Sequence, residues 1–144
     1  MGLAWGLVLI GLGLLAWGGQ AVSWFFPATA QRWSLMEGED SVEPAYFADV
    51  RGEALWDLLS LWTLVVAGAL LVLDEATWAY FGLVGGGIYV YFAGRGITTR
   101  VELRRRGFRI GDPSNVSVAF LLLTIWGVVG IVTIGAAVVA LPLV

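Results

Sequence analysis

Residues 116–143 read VSVAFLLLTIWGVVGIVTIGAAVVALPL, an apolar run without one charged side chain. About 20 apolar residues in a helix suffice to cross the hydrocarbon core of a bilayer, and this run is longer than that. Working back from it, comparable stretches occupy residues 3–26, 55–73 and 78–94. They fill most of a 144-residue chain that is 59% hydrophobic and only 13% charged. Such a composition lies outside the range of soluble globular domains. The chain is therefore expected to be all-α: a single integral membrane four-helix bundle over residues 1–144, with helices at about 3–26, 55–73, 78–106 and 116–143.

The charges set the expected orientation. Every basic residue is Arg. Arg95, Arg100, Arg104, Arg105, Arg106 and Arg109 lie between the third and fourth runs, and Arg32 and Arg51 between the first and second. The short connection Asp74-Glu75-Ala76-Thr77 holds two acids and no base. Basic residues in short loops mark the cytoplasmic side, which puts both long connections in the cytoplasm and both termini outside. Ala28-Thr29-Ala30 has the small-residue spacing of a leader-cleavage site. No base precedes the first apolar run, however, and that run is too long for a leader, so it is read as a retained span.

Residues 97–106 are expected to carry the third helix beyond the membrane, with Gly107 as its C-terminal stop. Arg100, Arg104, Arg105 and Arg106 would then lie on its surface and, with Arg109, meet anionic lipid headgroups. The first long connection is acidic, with Glu37, Glu39, Asp40, Glu43 and Asp49, and is expected to attract that basic arm. Pro44-Ala45-Tyr46-Phe47 is expected to begin an interfacial helix.

Absences limit the chemistry. Without Cys there is no disulfide or thiol nucleophile, and without His no Ser–His or Cys–His catalysis. No enzyme activity, cofactor or bound metal is expected, and nothing points to nucleic acid. Glycines crowd the first and third runs, including Gly82-x-x-x-Gly86, and small residues at this spacing let helices approach closely in membranes. Packing inside the bundle is favoured over a dimer face, and Gly85-Gly86-Gly87 could also loosen the helix or make room for a lipid tail or quinone. Trp5, Trp24, Trp33, Trp56 and Trp78 suit the headgroup level. Trp17, Trp62 and Trp126 fall deeper and need partners for their indole N–H groups.

An ionisable residue within a span is a functional candidate. Asp57 lies four residues after Glu53 and so on the same helical face. Arg95 has a matching depth at the end of the third run, and Gln20 lies near the end of the first. Gln20, Glu53, Asp57 and Arg95 form a candidate intramembrane polar cluster, with Ser60 and Thr124 near it and an Asp57–Arg95 pair at its centre. The plainer alternative is that both charges snorkel to the interface or lock the bundle.

Gly11-Leu12-Gly13 in the first run, Pro27 at its exit, a hydrophilic connection, and Arg51-Gly52-Glu53 leading into the second run resemble the small four-helix bacterial membrane proteins of the DoxX-like type. That resemblance implies the bacterial cytoplasmic membrane and a link with respiratory or redox assemblies. The leading expectation is a non-catalytic accessory or scaffold subunit of a larger membrane complex, or a self-associating bundle. The partners would be membrane lipids and another membrane protein or a second copy. The alternatives are a small oligomeric transporter or channel using Gln20, Asp57 and Arg95, and a lipid- or quinone-binding protein with Tyr89, Tyr91 and Phe92 beside the glycines.

Overall fold

The computed structural model describes residues 2–141. The elements are α1 (Gly2–Phe25), α2 (Pro27–Arg32), a 3-10 turn (Glu39–Ser41), α3 (Pro44–Ser60), α4 (Trp62–Val72), α5 (Trp78–Arg105) and α6 (Pro113–Ala140). Proline opens α2, α3 and α6. There its fixed φ suits the first helical turn and its missing N–H costs nothing. Among the described residues no strand forms; only Val42 and Ile110 make an isolated antiparallel bridge.

Three helices are long and apolar enough to cross a membrane: Gly2–Phe25, the α3–α4 rod Pro44–Val72, and Pro113–Ala140. Helix α5 is not among them, although it is 28 residues long. Its position explains the difference. It packs against α4 on one side and α6 on the other, and it carries Gly and Tyr where a lipid-facing helix would carry Leu and Val.

Two expected boundaries are corrected. The second helix starts at Pro44 rather than 55, so the expected interfacial turn is continuous with the apolar stretch. A reading by hydropathy sees only the apolar part of that rod. The fourth helix begins at Pro113 rather than 116, and residues 142–143 of its expected end lie outside the described residues.

The two helices of the rod meet at Leu61, where side-chain donors gather. Trp17 Nε1 donates to the Leu58 carbonyl at 2.8 Å, Trp62 Nε1 to Leu59 at 2.8 Å and Thr63 Oγ1 to Ser60 at 2.8 Å. Tyr89 Oη donates to the Leu61 carbonyl at 3.3 Å. Donors inserted along a helical ladder bend it. These donors also supply the carbonyls of this stretch with hydrogen bonds, which is what a low-dielectric setting favours.

The core runs along the bundle through Leu9, Leu61, Leu64, Tyr89, Phe92 and Trp126. Glycines set its spacing: a Cβ at Gly6 would lie 2.8 Å from the Gly68 carbonyl of α4, and one at Gly86 2.8 Å from the Gly130 carbonyl of α6. A second apolar cluster of Val42, Tyr46, Ile110 and Val116 ties the two long connections together at one end. Glu43 N–H donates to the Arg109 carbonyl at 3.0 Å, and Arg109 Nη1 to the Asp40 carbonyl at 3.1 Å. The acidic connection and the basic arm therefore meet, held by apolar burial and backbone bonds more than by exposed charge pairs, which contribute little. Gly107, at φ +78°, ends α5: its N–H donates to Arg104, and that of Phe108 to Leu103.

Candidate functional site

Helix α1 packs along α4, and α6 along α5, but α1 and α6 are not packed along their lengths. They meet where Trp126 Nε1 donates to the Leu12 carbonyl at 3.1 Å. Between that contact and the long connections lies a cavity of about 180 Å³. Its inner half is apolar, with Ala16, Phe92, Leu123 and Trp126. Leu15 of α1 and Val118 of α6 flank it and are exposed, so its mouth faces sideways, out of the bundle.

The other half is polar: Gln20, Ser23, Glu37, Glu53, Arg100 and Asn115. Arg100 is half-buried. Its Nη1 donates to the Gly96 carbonyl at 3.0 Å, and its guanidinium lies 5.8 Å from the centre of the Tyr46 ring. Arg100 Nε is buried without a hydrogen-bond partner, and so is Glu37 Oε2. Burial pushes the Glu37 carboxyl above its ordinary range, while the Asn115 side chain, Arg100 and the Asp112 backbone pull it back. Gly111, at φ +113°, lies against the Glu37 carboxyl so closely that no Cβ would fit.

Sequence reasoning missed the burial of Glu37 and placed Arg100 on the helix surface. Glu37 reads as one acid among several in a hydrophilic connection, and only its burial distinguishes it. Arg100 is expected on the helix surface but turns inward. Among the other basic residues, Arg104, Arg105 and Arg106 are exposed as expected, with Arg105 and Arg106 beside Glu102 at 3.9 and 2.7 Å. Arg109 is engaged with the first connection instead, 3.4 Å from Glu43. Arg51 also has an unforeseen role. It donates to the Ser23 carbonyl and to the Trp24 carbonyl at 3.0 Å, closing the orphan end of α1.

The expected polar cluster divides in two. Gln20 faces the α1–α6 cleft, whereas Asp57 and Arg95 line a separate groove between α3 and α5; Glu53 borders both. The Asp57–Arg95 pair does not form. Arg95 binds Asp49 at 2.7 Å and Glu53 at 2.5 Å, one helical turn short of Asp57. Asp57 is 3% exposed, and its Oδ2 has no partner. Ser60 and Thr124 join neither cavity; each donates to a carbonyl four residues back on its own helix.

The aromatic group on the third helix is dispersed as well. Tyr89 is buried, with its hydroxyl 3.3 Å from both the Gly13 and Leu61 carbonyls. Tyr91 is exposed, and Phe92 lines the cleft. Trp17, Trp62 and Trp126 all find indole partners. Among the described residues no group of three or more His, Cys, Asp or Glu is placed to hold a metal ion.

What the α1–α6 cleft can do follows from its two halves. The apolar half suits a hydrocarbon tail or ring, and the polar half offers a guanidinium and a carboxyl, each with one buried atom that lacks a hydrogen-bond partner. No protein-family model matches this chain, and neither a curated protein nor a solved structure matches it.

Proposed function

We propose that this chain is a non-catalytic protein of the bacterial cytoplasmic membrane that binds a membrane amphiphile in the α1–α6 cleft. One observation carries the reading: Arg100 and Glu37, whose Nε and Oε2 are buried and unpartnered, both line the polar end of a cavity whose other end is aromatic. Unpaired buried polar groups are costly, and a bound headgroup would relieve them. The lateral mouth supports a ligand that arrives from the bilayer rather than from water. Four spans with both termini outside fit this reading, as does a DoxX-like membership.

Gly19 provides the test. It borders the cavity, and nothing lies within 4 Å of where its Cβ would be. Gly19→Leu therefore adds a side chain at the cavity wall from an open Cβ position, whereas Gly11→Leu, also open at its Cβ, adds one at a position that does not line the cavity. Native mass spectrometry of gently extracted protein should show a small-molecule adduct in the wild type and in Gly11→Leu. Folded Gly19→Leu should have lost it. Retention of the adduct by Gly19→Leu removes the proposal.

A second reading, an accessory subunit or self-associating bundle, is favoured by Gly87 and Gly94. They leave gaps beside the exposed Val84 and Tyr91 on the outer face of α5, with nothing within 4 Å of either Cβ position. Small residues on an outward face permit close approach of another helix. The same spectra address this reading, since a stoichiometric protein mass would support it.

A further inference from the structure

We infer that the groove between α3 and α5 is a second binding site, separate from the cleft, for a primary ammonium group carried by a membrane amphiphile. The groove has a volume of about 510 Å³ and contains three carboxylates against one guanidinium. Arg95 engages two of them, Asp49 and Glu53. The third, Asp57, is the most buried and has no partner at Oδ2. A buried carboxylate facing a groove calls for a cation or for hydrogen-bond donors.

The surroundings narrow the cation. Trp56 and Tyr91 border the groove beside Asp57 and are 63% and 60% exposed. Aromatic faces attract organic cations, and Trp and Tyr belong at the headgroup level of a bilayer. The carboxylates are not grouped closely enough to hold a metal ion. The unpartnered oxygen can accept a hydrogen bond, which a primary ammonium can donate and a quaternary one cannot. Arg95 lies about one turn, ~5.4 Å, from the level of Asp57, and its side chain is 29% exposed. With five N–H donors, its guanidinium retains some beyond its pairs with Asp49 and Glu53 for a phosphate two carbons away from the ammonium. The groove thus matches a phosphoethanolamine-type headgroup, with the ammonium on Asp57 between the two rings and the phosphate toward Arg95.

Native mass spectrometry of delipidated full-length protein would test this. Phosphatidylethanolamine, its trimethylated counterpart phosphatidylcholine, and octylammonium chloride are the probes. Phosphatidylethanolamine should be retained about tenfold better than phosphatidylcholine, and Asp57→Asn should abolish that difference, as expected for loss of one charge-assisted hydrogen bond. Gly19→Leu should leave the preference intact, so failure of the cleft reading and failure of this one are distinguishable. If Asp57→Asn does not fold, Trp56→Leu, at an exposed position, should weaken retention in its place. Octylammonium binding that depends on Asp57, without retention of either lipid, would support the ammonium site and identify a free amine as its source. Equal retention of the two lipids with no octylammonium binding overturns the proposal, as does an undiminished preference in folded Asp57→Asn.

Discussion

The φ of +113° at Gly111 and the burial of Glu37 form one device. A side chain at 111 would be strained by its backbone and would also displace the carboxyl that the polar end of the cleft is built around. Burial raises the Glu37 pKa above its ordinary 4.5, so the folded protein holds this proton more tightly than the unfolded chain does. The linked stability is fully present below about 4.5 and is lost as pH rises through the higher folded value. Glu37→Gln removes that dependence. In amphiphile-free protein the variant should gain in Tm on the wild type as pH rises from 4.5 toward 8. A parallel pair of Tm-against-pH curves would contradict this. None of it was legible in the sequence. Gln20 and Asp57 stand out because polar residues are rare in apolar runs, whereas Glu37 sits among other acids and is buried by residues some seventy positions away.

At the scale of the elements, Gly85-Gly86-Gly87 shows what the sequence could and could not convey. The run could be read as a loosened helix, yet α5 is continuous through it. Successive helical residues point ~100° apart, and each of the three glycines meets a different neighbourhood. A Cβ at Gly85 would lie 2.9 Å from Leu64 N of α4, one at Gly86 2.7 Å from Ile134 Cγ1 of α6, and one at Gly87 would touch nothing. That is how one helix packs closely against two neighbours. Gly85→Ala should cost about 1–3 kcal/mol, because its obstacle is backbone that cannot rotate away. Gly87→Ala should be neutral or gain about 0.5–1 kcal/mol through lower chain entropy. Thermal melts of both variants in one detergent decide this; equal Tm values would mean that α5 is not wedged as described. The apolar runs themselves were legible because solvation by lipid leaves a compositional mark. The start of the second helix at Pro44 was not, since hydropathy follows burial in lipid and not backbone hydrogen bonding.

At the scale of the whole molecule, the proposed topology turns on α5 crossing the membrane. Three helices are long and apolar enough. With only those three crossing, the turn Asp74–Thr77 and the start of α6 would face the same side. Under the proposed four-span arrangement they face opposite sides. At 28 residues, α5 is ~42 Å long, sufficient for the ~30 Å core with its arginine-bearing end outside the core. Its lower apolarity follows from being flanked by α4 and α6, where glycine and tyrosine replace aliphatic side chains. The chain has no Cys, so single cysteines report without background. Thr77 and Ser114 are both exposed. A membrane-impermeant maleimide applied to intact spheroplasts should label Thr77→Cys, and should label Ser114→Cys only after the membrane is opened. Labelling of both from outside would keep α5 out of the bilayer. The reverse pattern would invert the protein, and its basic arm would then face away from the anionic cytoplasmic leaflet that its arginines are proposed to meet.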